Sequence, residues 1–291
     1  MRFKITPIIQ WAGGKRQLIP TIKEMLPLKY NNYFEPFFGG GALFCELTYD
    51  SATINDFNPC LMNLYVQTKE NPNELCNAID NLCNQYNSVY TQEEKEKLYY
   101  SVREEFNREM AENELTVQNA ANLMFLNRTG FNALYRINSS GKYNVPFGNK
   151  EELKIYSKRN LLLFSDRLNS ENITILCGDF EDACKNAKAG DFVFFDSPYY
   201  ETFDTYQQGG FTEQDHLRLY RLFVSLSEKG VYCMATNNDC EYIKNLYKDY
   251  NVTELDVKRM INRDGDNRVG KEVIITNYSD FVRVPRQIKL F

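Results

Sequence analysis

The feature that most constrains this chain is a series of short, continuously apolar runs separated by stretches with helical periodicity. Tyr33-Phe34-Glu35-Pro36-Phe37-Phe38, Ile173-Thr174-Ile175-Leu176-Cys177, Phe192-Val193-Phe194-Phe195, Val231-Tyr232-Cys233-Met234-Ala235 and Val273-Ile274-Ile275-Thr276-Asn277 are short enough to be strands and mostly too apolar for strands with a wet face. Such strands, alternating with helical stretches such as residues 213–227, predict a mostly parallel sheet covered on both sides. Ala52-Thr53-Ile54-Asn55-Asp56 adds a short strand that ends on an acid. The expected fold class is α/β, one sheet whose halves are separated by a helical insertion over residues 58–170. Within it, residues 59–126 keep 3.6-residue spacing and predict helix. Residues 127–149 are rich in Gly, Asn, Ser and Tyr and predict loop and short hairpin. Residues 150–168 predict helix again, and the last dozen residues read as a loose tail.

Composition removes several function classes. The eight cysteines include no Cys-x-x-Cys pair, so neither a zinc knuckle nor a thioredoxin-like site is indicated. His216 is the only histidine, which leaves Ser-His or Cys-His catalysis and metal hydrolysis through His ligands almost without material. No run approaches the roughly 18 apolar residues of a membrane span, and a cytoplasmic location is expected. The net charge of −5 hides an asymmetry. Residues 68–115 hold eleven acidic and five basic side chains, residues 127–168 eight basic and three acidic ones. A basic block in an acidic protein is the footprint of a phosphate-contacting face. A solvated helix face would give the same count.

Two motifs carry chemistry. Glu35-Pro36-Phe37-Phe38-Gly39-Gly40-Gly41 lies at the carboxyl end of a strand, where α/β sheets bind ligands, and its glycines permit close backbone approach. Asp56, ending the next strand, is placed to accept from ribose hydroxyls. No phosphate-binding G-x-x-x-x-G-K-[ST] loop occurs. The sharper motif is Asp196-Ser197-Pro198-Tyr199, delivered by the strand Phe192–Phe195. An aromatic amine is a poor nucleophile because its lone pair is delocalised into the ring. Acceptors on both its hydrogens draw the nitrogen toward a tetrahedral, nucleophilic geometry. The Asp196 carboxylate and the Ser197 carbonyl are such a pair, and Tyr199 offers a face on which an extruded base can stack. A plain proline turn with Asp196 capping a helix is the structural alternative.

Taken together, these motifs resemble the Dam-type DNA adenine-N6 methyltransferases, a group that includes GATC-specific methylases. The likeness runs from about Pro7 to Tyr278. It rests on Trp11-Ala12-Gly13-Gly14-Lys15, the Glu35-to-Gly41 motif, Asn55-Asp56-Phe57-Asn58, Asn127-Arg128-Thr129-Gly130-Phe131-Asn132-Ala133-Leu134-Tyr135-Arg136, Asn144-Val145-Pro146-Phe147-Gly148, and Asp196-to-Tyr199. It implies a Rossmann-like class I methyltransferase sheet forming an S-adenosylmethionine-binding domain from residues 1–57 and 171–280. A mostly helical target-recognition insertion would span 58–170, and a tail 281–291. By position it implies that Trp11, Lys15, Asp56 and Asp196 line the cofactor site over a floor of Phe37, Gly39 and Gly41, with Asp179 and Phe180 meeting the cofactor's adenine. Asp196, Ser197, Pro198 and Tyr199 would hold the target base. Phe131 and Asn132 would enter the gap in double-stranded DNA, and Leu134, Arg136 and Pro146 would read base edges.

Two positions depart from the family pattern. Position 197 is serine where relatives carry proline, which keeps the needed carbonyl but gives up φ rigidity. Position 10 is glutamine where a lysine reads the first guanine; Gln10 suits an adenine edge better, so GATC with relaxed or altered reading at its first position is expected. The rival readings are an N4-cytosine methyltransferase, whose target amine asks for the same geometry, and a DNA-binding homologue without catalysis. Lys258, Arg259, Arg263, Arg268 and Lys271 around the 262–270 loop suggest a phosphate-contacting hairpin loop or a merely solvated one. Gln287, Leu290 and Phe291 in the tail resemble the Gln-x-x-Leu-Phe peptides that dock on the replication sliding clamp. A monomer is expected.

Overall fold

The computed structural model describes residues 4–11, 13, 15, 17–170, 172–201, 210–258 and 269–279. Helix α1 (Ile19–Glu24) precedes β1 (Tyr33–Glu35), α2 (Ala42–Glu46) and β2 (Ser51–Asp56). Five helices follow before the next strand: α3 (Pro59–Glu70), α4 (Pro72–Ser88), α5 (Gln92–Glu112), α6 (Val117–Thr129) and α7 (Lys158–Ser170). The chain then runs β3 (Asn172–Cys177), α8 (Phe180–Ala183), β4 (Phe192–Phe195), α9 (Glu213–Glu228), β5 (Tyr232–Asn238), α10 (Glu241–Leu246), β6 (Asn251–Lys258) and β7 (Val269–Thr276).

The strands form one seven-stranded sheet in the order β3-β2-β1-β4-β5-β7-β6. β3, β2, β1, β4 and β5 run parallel, while β7 inserts antiparallel between β5 and β6. The order reverses between β1 and β4, which opens a crevice outside their carboxyl ends. Side chains alternate between two cores as the period of a strand requires. Tyr33, Phe192, Phe194 and Met234 face one cluster; Phe34, Val193, Phe195 and Cys233 face the other. The first cluster continues without a break into α3, α4, α5, α6 and α7, so the helices between β2 and β3 share the core of the sheet.

Several local expectations shift. β1 ends at Glu35, before the strand-like run reaches Phe38, because Pro36 cannot donate to the ladder. α6 carries on through Asn127, Arg128 and Thr129, residues expected in a loop, and α7 begins only at Lys158. The segment before α7 is held from outside instead. The Tyr86 hydroxyl and the Lys95 ammonium donate to the carbonyls of Lys150 and Glu151, and Asn87 pairs with the backbone of Leu153. β6, the strand before the 262–270 hairpin loop, was not picked out as a strand-like run, since an edge strand with a half-wet face carries only a weak apolar signal. Among the described residues no helix is long and apolar enough to cross a membrane.

Candidate active site at the carboxyl ends of the parallel strands

Four strand ends converge on the crevice. After β1 the chain turns through Gly39 (φ +50°) and Gly41 (φ +64°). A Cβ on Gly39 would meet the Trp11 ring at 3.0 Å, and one on Gly41 would meet Phe38 Cζ at 2.5 Å, so bare backbone is required at both. The Gly39 amide donates to Asp56 Oδ2 at 2.9 Å, and the Asn58 amide to Oδ1 at 3.0 Å. Asp56 thereby fastens the end of β2 to the glycine turn. Asn58 in turn caps α3 by accepting from the Leu61 amide, with Pro59 in the first turn. Buried Asn55 donates to the carbonyls of Pro36 and Gly178, both at 3.0 Å, and ties three strand ends together. Phe57, beside Asp56, is 62% exposed, an aromatic face that the sequence reasoning did not single out.

Past β3, Asp179 caps α8 by accepting from the Glu181 amide, and Phe180 stacks on Phe37 with centroids 5.3 Å apart. Arg218, from α9, holds this corner. It donates to Asp179 Oδ2 at 2.8 Å, Glu181 Oε1 at 3.1 Å and Asp215 Oδ1 at 3.1 Å, and its guanidinium lies 4.9 Å from the Phe180 ring centroid. The capping box of Thr212 and Asp215 at the start of α9 fixes the helix that carries it.

Asp196 follows β4 directly. Its Oδ1 receives the Lys15 ammonium at 2.8 Å and the Thr236 hydroxyl, from β5, at 2.6 Å. With both donors on Oδ1, Oδ2 is the oxygen left for a ligand. Lys15 is 6% exposed, donates also to the Gly13 carbonyl at 3.0 Å, and sits 4.5 Å from the centroid of the Tyr199 ring. The Tyr199 hydroxyl donates to Glu272 on β7. Beneath lies Glu35, 3% exposed, which accepts from the Tyr33 hydroxyl at 2.7 Å. Burial, with the negative charge of Asp196 adding to it, pushes its pKa up to about 8 against the opposing hydrogen bonds from Tyr33 and Phe44. Lys15 and the Asp196-to-Tyr199 element, singled out from separate motifs, therefore meet. Thr236 and Glu272 join them from distant strands and carry no sequence signal beyond ending or starting an apolar run.

The residues expected to meet DNA lie on the helical side. Asn127, 2% exposed, donates both to the Gln10 carbonyl and to the Ala133 carbonyl at 2.9 Å, and Trp11 stacks on Tyr135 at 5.0 Å. Phe131 is 52% exposed at the start of a tight turn in which Asn132 (φ 54°) and Ala133 (φ 52°) are left-handed. Its amide bonds the Pro146 carbonyl at 2.9 Å. Leu134 packs partly against the main core. Arg136 is held within its own hairpin by the Asn144 side chain at 2.7 Å and carbonyl at 3.1 Å. A cleft of 440 Å³ lined by Gln10, Asn132, Arg128, Lys150 and Lys154, with Glu152 as its one acidic side chain, adjoins a second of 330 Å³ that shares Arg128 and Lys154. Neither reaches Asp196, so the carboxylate is recognised by its partners and the clefts by their basic lining. Most of the basic 262–270 loop, and Gln287, Leu290 and Phe291, lie outside the described residues.

A doubly wound sheet with one antiparallel strand inserted near its edge, and Asp-Ser-Pro-Tyr at the end of β4, define the class as an α/β methyltransferase. Residues 11–261 match the D12 class N6 adenine-specific DNA methyltransferases, and the chain belongs to that family. It is 40% identical over 287 residues to the Type II methyltransferase M1.LlaDCHI of Lactococcus lactis subsp. cremoris, covering 96% of this chain and 98% of that one. It is 35% identical over 292 residues to the Type II methyltransferase M.MjaIII of Methanocaldococcus jannaschii, covering 94% and 100%. The DNA adenine methylase of Escherichia coli is 27% identical over 282 residues, covering 95% and 96%. The enzyme is thus an adenine-specific DNA methyltransferase.

Proposed function

We propose that the chain transfers a methyl group from S-adenosylmethionine to N6 of an adenine swung out of duplex DNA, in GATC or a variant differing at its first position. The arrangement of Asp196, with two donors on Oδ1 and Oδ2 left to accept, carries this reading. The glycine turn that no Cβ could share, the exposed Phe57 face and the Asp56 and Asp179 strand ends suit a nucleoside with a short charged chain. The cofactor supplies an electrophilic methyl on a sulfonium centre. Asp196 Oδ2 and the Ser197 carbonyl accept the two N6 hydrogens, and Tyr199 stacks on the base. Positive charge grows on the base as the methyl arrives; the Asp196 carboxylate stabilises it, and the proton leaves to water.

On this reading residues 58–170 recognise the site. Phe131 and Asn132 fill the gap, Gln10, Leu134, Arg136 and Pro146 read base edges, and the Arg128–Lys154 clefts take phosphates. The tail residues Gln287, Leu290 and Phe291 are proposed to dock on a sliding clamp; deleting residues 287–291 then removes clamp binding and spares methylation of short duplexes, and unchanged clamp binding contradicts it. The main test is methylation of duplex oligonucleotides varied at each position of GATC, followed by nucleoside analysis. N6-methyladenine in GATC-related duplexes is expected; N4-methylcytosine, or indifference to the sequence, overturns the proposal.

A further inference from the structure

We propose that Glu272 is a positioning residue for methyl transfer: by accepting the Tyr199 hydroxyl it fixes the plane of the ring on which the target base stacks. The proposal rests on the reading of Tyr199 as the base platform. Glu272 lies beyond residues 11–261, the stretch that matches the family.

The geometry of the ring calls for such a tether. Tyr199 is half-buried on the rim and follows Pro198 just past the end of β4, where strand pairing no longer restrains it. Fastening the far end of a side chain with two rotatable bonds narrows the ring planes its rotamer leaves open. In the free chain the ring is gripped from two sides, by the Lys15 ammonium 4.5 Å from its centroid and by Glu272 at its hydroxyl. The Glu272 bond, at the hydroxyl rather than on a ring face, stays in place when a base stacks on the ring and the methyl moves. A carboxylate is suited to that role, because hydrogen bonds to a charged acceptor are about twice as strong as neutral ones.

Glu272 is itself presented rigidly. It pairs with Asn238 of β5 and Leu255 of β6, and the next residues of β7, Val273, Ile274 and Ile275, are buried in the two cores. The tether thus runs from the body of the sheet to the ring, across 73 residues of sequence. The consequence is angular: the ring plane sets the base plane, and the base plane decides whether both N6 hydrogens point at Asp196 and the Ser197 carbonyl. Misplacement on the scale of an ångström costs up to about 100-fold in rate.

The test is a double-mutant cycle with separate readouts of chemistry and binding. Glu272→Ala lowers single-turnover kcat by ~10-fold, with cofactor and DNA dissociation constants unchanged, and Glu272→Gln, whose amide oxygen still accepts, recovers most of the loss. Tyr199→Phe is slow to a similar degree, and adding Glu272→Ala to it has no further effect. The ζ-carbon resonance of ¹³C-labelled Tyr199 shifts in Glu272→Ala. An unchanged kcat in Glu272→Ala, a full loss repeated in the Tyr199→Phe background, or a Glu272→Gln variant as slow as Glu272→Ala overturns the proposal. If the unaltered protein fails to methylate adenine, the reading of the site falls, and an unmoved Tyr199 resonance in Glu272→Ala then overturns the tether on its own.

Discussion

Replacing Glu35 by glutamine should change how stability depends on pH, in a direction the structure fixes. Glu35 closes β1, is 3% exposed and accepts one hydrogen bond from Tyr33, with Asp196 adding negative charge nearby. Burial is the largest cause of a pKa near 8 against an ordinary value of 4.5. Because the folded-state value is raised, folding takes up a proton between these limits. The protonated carboxyl stabilises the fold fully below about pH 4.5, and that contribution is lost as pH rises through about 8. A shift of this size corresponds to about 5 kcal/mol over the whole window, falling by roughly 1.4 kcal/mol per pH unit between about pH 5 and 8. Glutamine copies the neutral form and cannot ionise. Urea unfolding of both proteins at pH 5, 6, 7, 8 and 9 isolates the effect, since every other titrating group cancels in the difference. Glu35→Gln should match the parent at pH 5 and exceed it by several kcal/mol at pH 9. Two curves running parallel across the range would show that Glu35 is already ionised in the fold, and would refute the reasoning.

Arg218→Ala frees the Asp179 and Glu181 carboxylates from their cation, and S-adenosylmethionine affinity measured by calorimetry should drop about 10-fold, with Arg218→Lys recovering part of it. Equal affinity in all three proteins would separate Arg218 from the cofactor corner. Ser197→Pro should leave methylation of a GATC duplex equal or faster, because the carbonyl is kept and the backbone stiffened; a slower enzyme would mean that the serine side chain itself matters.

The sheet was legible because its strands are apolar on both faces, a pattern few other arrangements produce. The glycine turn and Asp196 were legible because each lies in a short contiguous run whose residue types are the signal, three glycines closing one strand and Asp-Ser-Pro-Tyr closing another. What escaped is long-range. Thr236, Glu272 and Arg218 act on partners 40, 73 and 39 residues away, and only the β4-β5-β7 order and the docking of α9 bring them in. Asn127 was read as a loop residue; it belongs to α6, and its amide bridges the Gln10 segment to the 131–133 turn. β6 escaped because an edge strand wet on one face shows little of the pattern that revealed the others.

The central claim is that the Asp196 carboxylate accepts a hydrogen from the target N6, and it is tested most directly by measuring methyl transfer and cofactor binding together in Asp196→Ala. Asp196→Ala should unfold cooperatively and form no N6-methyladenine in a GATC duplex even at S-adenosylmethionine concentrations that saturate the variant. Turnover retained in Asp196→Ala would contradict it.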